Sequence, residues 1–308
     1  MATHLRHVRV LTNPLLFILL STMTQTISKP SESSTVDAFE PAPRSLKPTV
    51  FWRIAEEIPQ PLKWALTATS ILGPLVLWWV VSNSNVVDSL FLPSPQEVIA
   101  ATQNLWVKGF LAEDTMASII RVSLGFLAAC MLAIPLGIGM GTFASIRALC
   151  EPLISFLRYM PAPAFIPLLI IYFGIEEAPK IILIFIGTLF FNTLMIMDTV
   201  KFVPKDLIET TYTLGGQRWQ VLKSVILPYV TPKIIDTFRI NFAAGWNLVV
   251  VAELIAAEEG LGRRIVFAQR FLRTDEIFAC LIILGLLGFI LDLLFQWILK
   301  ATCRWAFD

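Results

Sequence analysis

Long runs of apolar residues dominate the chain from residue 64 onward. A helix needs about 20 mostly apolar residues to cross a bilayer, because each residue rises about 1.5 Å. Six runs approach or exceed this length, at 64–82, 117–143, 161–175, 180–200, 234–257 and 277–300. The third is short and contains Pro161, Pro163 and Pro167, so we expect it to begin as an irregular or kinked segment. The pattern predicts an all-α membrane protein with six transmembrane helices.

The basic residues between these runs are unevenly distributed. With the N-terminus inside, sixteen Lys and Arg residues lie in the tails and inner connections, and six lie in the outer connections. Cytoplasmic connections of membrane proteins are enriched in Lys and Arg, so this count predicts that both termini are cytoplasmic. The outer connection after the fifth run is the exception, because it contains Arg263, Arg264, Arg270 and Arg273.

The first 60 residues differ in composition from the rest. Residues 24–50 are rich in Ser, Thr and Pro and poor in large apolar residues, which predicts a flexible cytoplasmic tail. The upstream stretch NPLLFILL is similar to the apolar part of a signal peptide, but no small-x-small cleavage site follows it. We favour two other interpretations, a peripheral patch or residues that precede a true start at Met23. The predicted division is a tail at 1–60 and a transmembrane domain at 61–308.

A short polar motif precedes the second apolar run. Ser94-Pro95-Gln96-Glu97 has the sequence of a capping box with proline at the first helical position. It predicts an outer helix that continues to about Val107.

Composition narrows the functional classes. Charged residues make up 15% of the chain and hydrophobic residues 56%, whereas a soluble domain usually has about 25% charged residues. The net charge of +1 gives no basic field for nucleic acid. The two histidines are at positions 4 and 7, and no cysteine pair has C-x-x-C spacing. The sequence therefore predicts no metal site, no catalytic site and no cofactor.

The connection between the fourth and fifth runs, residues 201–233, is long for a link between two helices. Its pattern predicts a first short helix, an interruption at Gly215 and Gly216, and a second short helix that ends at Leu227-Pro228. Two amphipathic helices joined in this way form a projection that can dock into a groove of another protein. The alternative is a loop that lies flat on the membrane surface.

This connection resembles the cytoplasmic motif of ABC importer membrane subunits. In that family, Glu, two small residues, three residues of any kind, Gly, nine residues of any kind and I-x-L-P follow one another. The matching positions here are Glu209, Thr210, Thr211, Gly215, Val225, Leu227 and Pro228. Thr replaces both small alanines, and Val replaces Ile. The resemblance implies that 201–233 is the coupling segment that inserts into the nucleotide-binding subunit.

Four further segments resemble one branch of that family, the permeases for nitrate, sulfonates, taurine and bicarbonate. They are FLPSPQEV, RYMPAPAFIPLLIIYFGIEEAPK, AGWNLVVVAELIAAEEGLGRRI and QRFLRTDEIFACLII, and they cover about residues 90–295. The likeness is strongest to sulfonate and taurine permeases. It implies a type I ABC importer permease in the bacterial inner membrane, supplied by an extracytoplasmic solute-binding protein.

We expect another protein to hydrolyse the ATP that drives transport. The dipeptide Gly-Lys does not occur in the chain, so a P-loop is absent and ATP hydrolysis requires a separate ATP-binding cassette subunit. A dimer of such subunits needs two membrane partners, which implies a second permease copy or a close relative.

Polar groups inside the apolar runs are candidates for the substrate path, because they are costly to place in a bilayer. The candidates are Arg121, Asn192, Asn241, Trp246 and Asn247. Hydrogen bonds between helices would satisfy the same groups and are the alternative. Arg263 and Arg264 are candidates for docking of the binding protein, with attraction of an anionic solute as the alternative.

These inferences combine into a membrane subunit of an ABC importer that carries a small anion. A stand-alone secondary transporter is the alternative function. That alternative predicts paired charges at the midplane and internal repeats, neither of which is clear in the sequence, and it leaves 201–233 without a role.

Overall fold

The computed structural model describes residues 58–84 and 86–306. Most of the predicted tail therefore lies outside the described residues. Contacts divide the chain into residues 1–66 and residues 67–308. In the first unit, the described residues 58–66 contain the start of the first helix; the second unit contains the rest of the bundle.

Every long element in the described residues is an α-helix. The helices are α1 (Gln60–Asn83), α2 (Pro95–Val107), α3 (Phe110–Thr142), α4 (Ala144–Leu157), α5 (Ile166–Phe173), α6 (Glu177–Lys201), α7 (Lys205–Thr213), α8 (Arg218–Gln220), α9 (Leu227–Ala256), α10 (Leu261–Arg270) and α11 (Thr274–Thr302). Short 3₁₀ turns occupy Ala162–Phe165 and Arg304–Ala306, and a π-helical segment occupies Val221–Ile226.

Five helical segments are long and apolar enough to cross a membrane: α1, α3, α6, α11 and the continuous stretch Arg218–Leu254. A sixth candidate is a bent pair, Ala144–Leu157 and Ala162–Phe173, whose halves meet at 82°. The all-α fold with up to six apolar spans is therefore confirmed. The cytoplasmic placement of the termini stays a prediction.

The helix predicted before α3 is present as α2, and its outer placement stays a prediction. The Ser94 hydroxyl accepts a hydrogen bond from the Glu97 N–H at 3.3 Å, and the Glu97 carboxylate accepts one from the Ser94 N–H at 2.7 Å. This capping box, with Pro95 at the first position, starts the helix as the sequence indicates.

The centre of the bundle is formed by α3, α6 and α9. Val122, Ile184 and Val249, one from each helix, have no exposed surface. By contrast, α1 contains no buried residue. Its Trp78 stacks on Phe278 of α11 with ring centroids 5.9 Å apart. The surface of α1 is therefore mostly apolar and exposed, and we expect it to contact the lipid hydrocarbon.

The third span begins irregularly, as predicted, but it is preceded by an additional helix. The sequence placed residues 144–157 and Arg158 in an inner connection, whereas the structure forms α4 there and leaves Arg158 at the break of the bent pair. Pro161 and Pro163 lack N–H groups and restrict the residues before them, so an α-helix cannot run through this stretch. Without Arg147 and Arg158, which both lie in the bent pair, the inner count falls to fourteen against six and still favours the predicted orientation.

Gly187 of α6 allows the break of the bent pair to approach α6 closely. A Cβ atom at Gly187 would lie 3.0 Å from the Cβ of Ala162 and would overlap the Leu248 side chain. Because Gly187 has no side chain, Ala162 of the bent pair and Leu248 of α9 can both pack against the middle of α6.

The predicted end of the second short helix at Leu227-Pro228 is wrong. Helical structure continues from Arg218 to Leu254. The ring of Pro228 would clash with the carbonyl of Ser224 in a regular α-helix, and the wider turns of the π-helical segment Val221–Ile226 relieve this conflict. The fifth span therefore starts earlier than residue 234.

Candidate functional site

Two ends of the bundle contain different polar features, and we name them the α7 end and the α10 end. At the α7 end, α7 packs against the π-helical segment and has no buried residue. Large apolar side chains are exposed beside it, with Leu214 82% and Trp219 69% exposed. Exposed apolar surface of this kind is typical of a contact site for another protein.

The turn between α7 and α8 requires two glycines. Gly215 has φ +83°, a conformation that other residues rarely adopt. The Gly215 N–H donates to the Tyr212 carbonyl and the Gly216 N–H to the Thr211 carbonyl, each at 2.9 Å, as in a Schellman motif. A Cβ atom at Gly216 would lie 2.7 Å from Cγ2 of Thr211. Gly216, which the sequence motif leaves unspecified, is thus as restricted as Gly215.

The two threonines of the motif direct their hydroxyls into their own helix. Thr210 donates to the Asp206 carbonyl at 2.7 Å, and Thr211 donates to the Leu207 carbonyl at 2.8 Å. These bonds satisfy the hydroxyl groups locally, which explains how Thr replaces the smaller alanine of the motif.

A groove of about 590 Å³ lies beside α7, and we call it the α7 groove. Its lining consists of Leu207, Thr210, Thr211, Ser224, Val225, Pro228, Tyr229, Pro232 and Trp305. The structure therefore brings Thr210, Thr211 and Pro228 together. Glu209 and Gly215 are exposed outside the groove, while Leu227 packs toward the core. The contribution of Trp305, far away in sequence, was missed because only the fold reveals it.

A wider cavity of about 960 Å³ lies between the C-terminal part of α6, the N-terminal part of α9 and the C-terminal part of α11. Its charged lining residues are partly paired: Lys233 lies 3.1 Å from Asp236, and Arg239 lies 3.8 Å from Asp236 and 3.2 Å from Asp292. The Asp236–Arg239 pair follows from their spacing on one helix, whereas Asp292 comes from α11.

The α10 end contains a buried group of charged and polar residues, which we call the polar cluster. It consists of Asp114, Ser118, Arg121, Glu177, Lys180, Glu253 and Arg264. Its three cations and three carboxylates balance in charge. Six of the seven residues are buried, and Glu177 is the exposed member.

Arg121 is the centre of the polar cluster. Its Nη2 donates to Glu177 Oε1 at 2.8 Å and its Nε to Glu177 Oε2 at 2.5 Å. Its Nη1 donates to Glu253 Oε1 at 2.8 Å and to the Glu259 carbonyl at 2.6 Å. All three nitrogens are occupied, so the contacts favour a structural role for Arg121 over a role as a free cation in the substrate path.

The other half of the polar cluster holds the turn that leads into α10. The Glu253 carboxylate accepts hydrogen bonds from Ser118 Oγ at 2.8 Å and from the Gly262 N–H at 2.9 Å. Asp114 accepts from the Gly260 N–H at 2.8 Å and from Arg264 Nε at 2.6 Å. Glu253 and Asp114 thereby fix this turn to α3 and α9.

The contacts separate the two arginines that were expected to dock a binding protein. Arg264 is only 8% exposed, is paired with Asp114, and lies over the Phe110 ring at 4.4 Å. Arg263 is partly exposed. Burial therefore favours Arg264 as a structural residue and leaves Arg263 as the docking candidate.

Gly260→Ala is expected to destabilise the chain by about 1–3 kcal/mol, because the residue has a strained backbone conformation for alanine. Gly260 has φ +126°, and its Cβ would lie within 2.6 Å of both carboxylate oxygens of Glu253. The measurement is the Tm of the purified protein in detergent. Gly285→Ala is the control, since nothing lies within 4 Å of its Cβ. Equal Tm values for the two variants would contradict the expectation.

The remaining candidates for the substrate path differ in their contacts. Asn241 Nδ2 donates to Asn192 Oδ1 at 2.7 Å, and Asn192 is fully buried between helices. Trp246 is 8% exposed and donates to the Leu284 carbonyl at 3.1 Å. Both bonds join different helices, as the alternative of hydrogen bonds between helices predicts for these residues. Asn247 is exposed and lines a separate cavity of about 350 Å³ together with Arg158.

Across residues 58–84 and 86–306, no group of three or more His, Cys, Asp or Glu side chains has a geometry that could hold a metal ion.

Several helices are long enough to span a membrane, one further pair of helices is bent, and an exposed helical segment lies at one end of the bundle. Together these features define a multi-pass membrane protein. Residues 133–303, more than half of the chain, match the family described as binding-protein-dependent transport system inner membrane component. The chain belongs to this family. It is a transmembrane permease subunit of an ABC importer and is located in the inner membrane, as predicted.

Relatives support this assignment over most of their lengths. The chain is 37% identical to the taurine transport system permease protein TauC of Escherichia coli (strain K12) over 225 residues, covering 71% of this chain and 82% of the relative. It is 30% identical to the putative aliphatic sulfonates transport permease protein SsuC of Bacillus subtilis (strain 168) over 231 residues, covering 75% and 84%.

A solved structure shows the same fold. The inward-facing MetNI methionine ABC transporter matches with a TM-score of 0.55 and 16% identity, covering 63% of this chain and 97% of that chain. At this identity the match shows the fold alone.

Proposed function

We propose that the chain translocates a small solute with a sulfonate group, such as taurine or another sulfonate, with nitrate and bicarbonate as the other candidates. The relatives named for taurine and sulfonates, 37% and 30% identical, carry this proposal. An extracytoplasmic binding protein delivers the solute, and a separate ATP-binding cassette subunit supplies the energy.

The α7 groove supports the proposed site of contact with that subunit. It combines the residues of the coupling motif, Thr210, Thr211 and Pro228, with the exposed apolar side chains of Leu207 and Tyr229. Apolar grooves on short helices are typical docking surfaces. In this arrangement the α7 end faces the cytoplasm, in agreement with the distribution of Lys and Arg.

The α10 end is then the outer face. Arg263 on α10 is partly exposed there, and we infer that it contacts the binding protein. A second permease copy or a close relative completes the complex, because the two ATP-binding subunits need two membrane partners. Family membership and the exposed coupling segment favour this assembly over a stand-alone secondary transporter.

Uptake by the reconstituted complex tests the proposal. The tagged chain is purified from its native membranes with its ATP-binding subunit and placed in proteoliposomes with ATP inside and the binding protein outside. We expect ATP-dependent, saturable uptake of labelled taurine or ethanesulfonate, with labelled nitrate and bicarbonate tested in parallel. Labelled methionine, which has no sulfonate group, is the control solute. Uptake of methionine alone, or ATP-independent uptake, would contradict the proposal.

A further inference from the structure

Arg158 is a charged residue near the middle of the spanning helices. It lines the cavity of about 350 Å³ together with Gly187 and Phe191 of α6. These residues lie 10 and 14 positions after the start of α6 at Glu177. At about 1.5 Å per residue, they are roughly 15 and 21 Å along a helix about 37 Å long. The break of the bent pair thus places a guanidinium group at the depth where charges are most costly.

Among the buried or half-buried arginines, Arg121, Arg239 and Arg264 each form an ion pair. Arg147 forms none with the described residues, but its Nε and Nη2 donate to the backbone carbonyls of Met140 and Gly141. In the described part of the chain, Arg158 has no carboxylate within 4.0 Å, and its side-chain hydrogen bond goes to the Tyr159 hydroxyl at 2.9 Å. Its Nε is buried without a partner. Charges inside membrane proteins are normally paired, so this arrangement lacks an anion.

The cavity beside Arg158 has the size and lining of a site for a small anion. Its volume of about 350 Å³ lies within the range of roughly 300–1,000 Å³ that is typical of small-molecule pockets. Asn247 adds an amide donor, while Pro161, Pro163 and Phe191 form apolar walls. A planar guanidinium matches the oxygen atoms of an oxyanion with two parallel hydrogen bonds.

We propose that Arg158 and Asn247 form an anion subsite within the membrane, occupied in transit by the sulfonate or other oxyanion group of the solute. The identity of the occupant rests on the proposed function. One cation and one amide donor in a cavity otherwise lined mainly by apolar residues attract the anion, but the anion has only a few hydrogen bonds to break when it leaves. This balance suits a transport path, since a solute must be able to leave each site.

Charge-selective labelling tests the electrostatic part of the proposal without any assumption about the solute. A reporter thiol is introduced by Ala244→Cys, a position that lines the cavity, in a chain whose four native cysteines are replaced by alanine. The intact complex is treated with sulfonatoethyl methanethiosulfonate, which is an anion, or with trimethylammonioethyl methanethiosulfonate, which is a cation. The result is the ratio of the two labelling rates.

We expect Arg158→Gln to lower the anion-to-cation ratio by about tenfold, because one nearby charge attracts one reagent and repels the other. Arg158→Lys should retain most of the ratio. Lys108→Gln removes the same charge from an exposed position outside the cavity and is the control. An unchanged ratio in Arg158→Gln would overturn the subsite.

Uptake separates this inference from the proposed function. In the proteoliposome assay, Arg158→Gln should reduce uptake of the transported anion at least tenfold, and Arg158→Lys should restore part of it. If the unaltered complex takes up the anion and Arg158→Gln does so equally well, the subsite is wrong and the proposed function stands. If the unaltered complex takes up none of the anions while the labelling ratio depends on Arg158, the proposed function is wrong and the subsite holds a different anion.

Discussion

Arg121→Ala is expected to destabilise the chain by about 3–5 kcal/mol, since it leaves a buried carboxylate without its charged partner. Glu253 is 1% exposed, and its remaining bonds come from Ser118 and the Gly262 N–H. For a chain of this size the Tm should fall by about 5–8 °C. The measurement is thermal unfolding of the purified protein in detergent.

Two further variants sharpen this test. Arg273→Ala removes an ion pair with Glu276 in which the arginine side chain is 53% and the glutamate side chain 13% exposed. A surface pair with one solvated partner contributes about 1 kcal/mol or less, so the Tm should change little. Adding Glu253→Gln to Arg121→Ala removes the unpaired charge and should restore part of the lost stability. A Tm loss in Arg121→Ala no larger than that in Arg273→Ala would show that the polar cluster does not hold the α10 end together.

Thr211→Arg is expected to reduce solute uptake at least tenfold while ATP hydrolysis by the associated subunit continues. Thr211 lines the α7 groove, and its backbone carbonyl accepts the Gly216 N–H that closes the α7–α8 turn. A large charged side chain there would fill the groove and oppose docking, because a charge is costly in an apolar contact. Uptake and ATP hydrolysis are measured in the same proteoliposomes.

Thr302→Arg provides the matched control, since Thr302 is exposed at the same end of the bundle and lies outside the α7 groove. It should leave both activities unchanged. Normal uptake in Thr211→Arg would refute the assignment of the α7 groove as the coupling surface.

Local sequence rules predicted several elements well. The capping box of α2 and the irregular start of the third span depend on Ser94, Glu97, Pro161 and Pro163, whose effects extend over only a few neighbours. Hydrophobic run length likewise predicted the spans, since bilayer thickness sets a minimum length. The φ of +83° at Gly215 fits the break that the sequence indicated.

Other features depend on contacts or local geometry that the sequence patterns do not show. Ser118 and Glu253 are separated by 135 positions, so no local pattern reveals that they share a hydrogen bond. The sequence therefore left Arg121 open between the substrate path and hydrogen bonds between helices, and its contacts favour the second. Arg158 was counted in an inner connection because the third apolar run was taken to begin at Pro161, whereas the structure places it at the break of the bent pair, beside the middle of α6. The helix end expected at Pro228 was wrong because a π-helical segment accommodates that proline.

The continuity of Arg218–Leu254 has a mechanical consequence. This single 37-residue stretch runs from the α7 groove to the polar cluster, a distance of roughly 55 Å at about 1.5 Å per residue. If it tilts as a stiff rod about its Arg218 end, a rotation of about 5° displaces its Leu254 end by about 5 Å over that length. Glu253 lies near the Leu254 end and is bonded to Ser118 and Arg121 of α3 and to Gly262 of α10, so a movement at the α7 groove can be transmitted to the polar cluster along one continuous helical stretch.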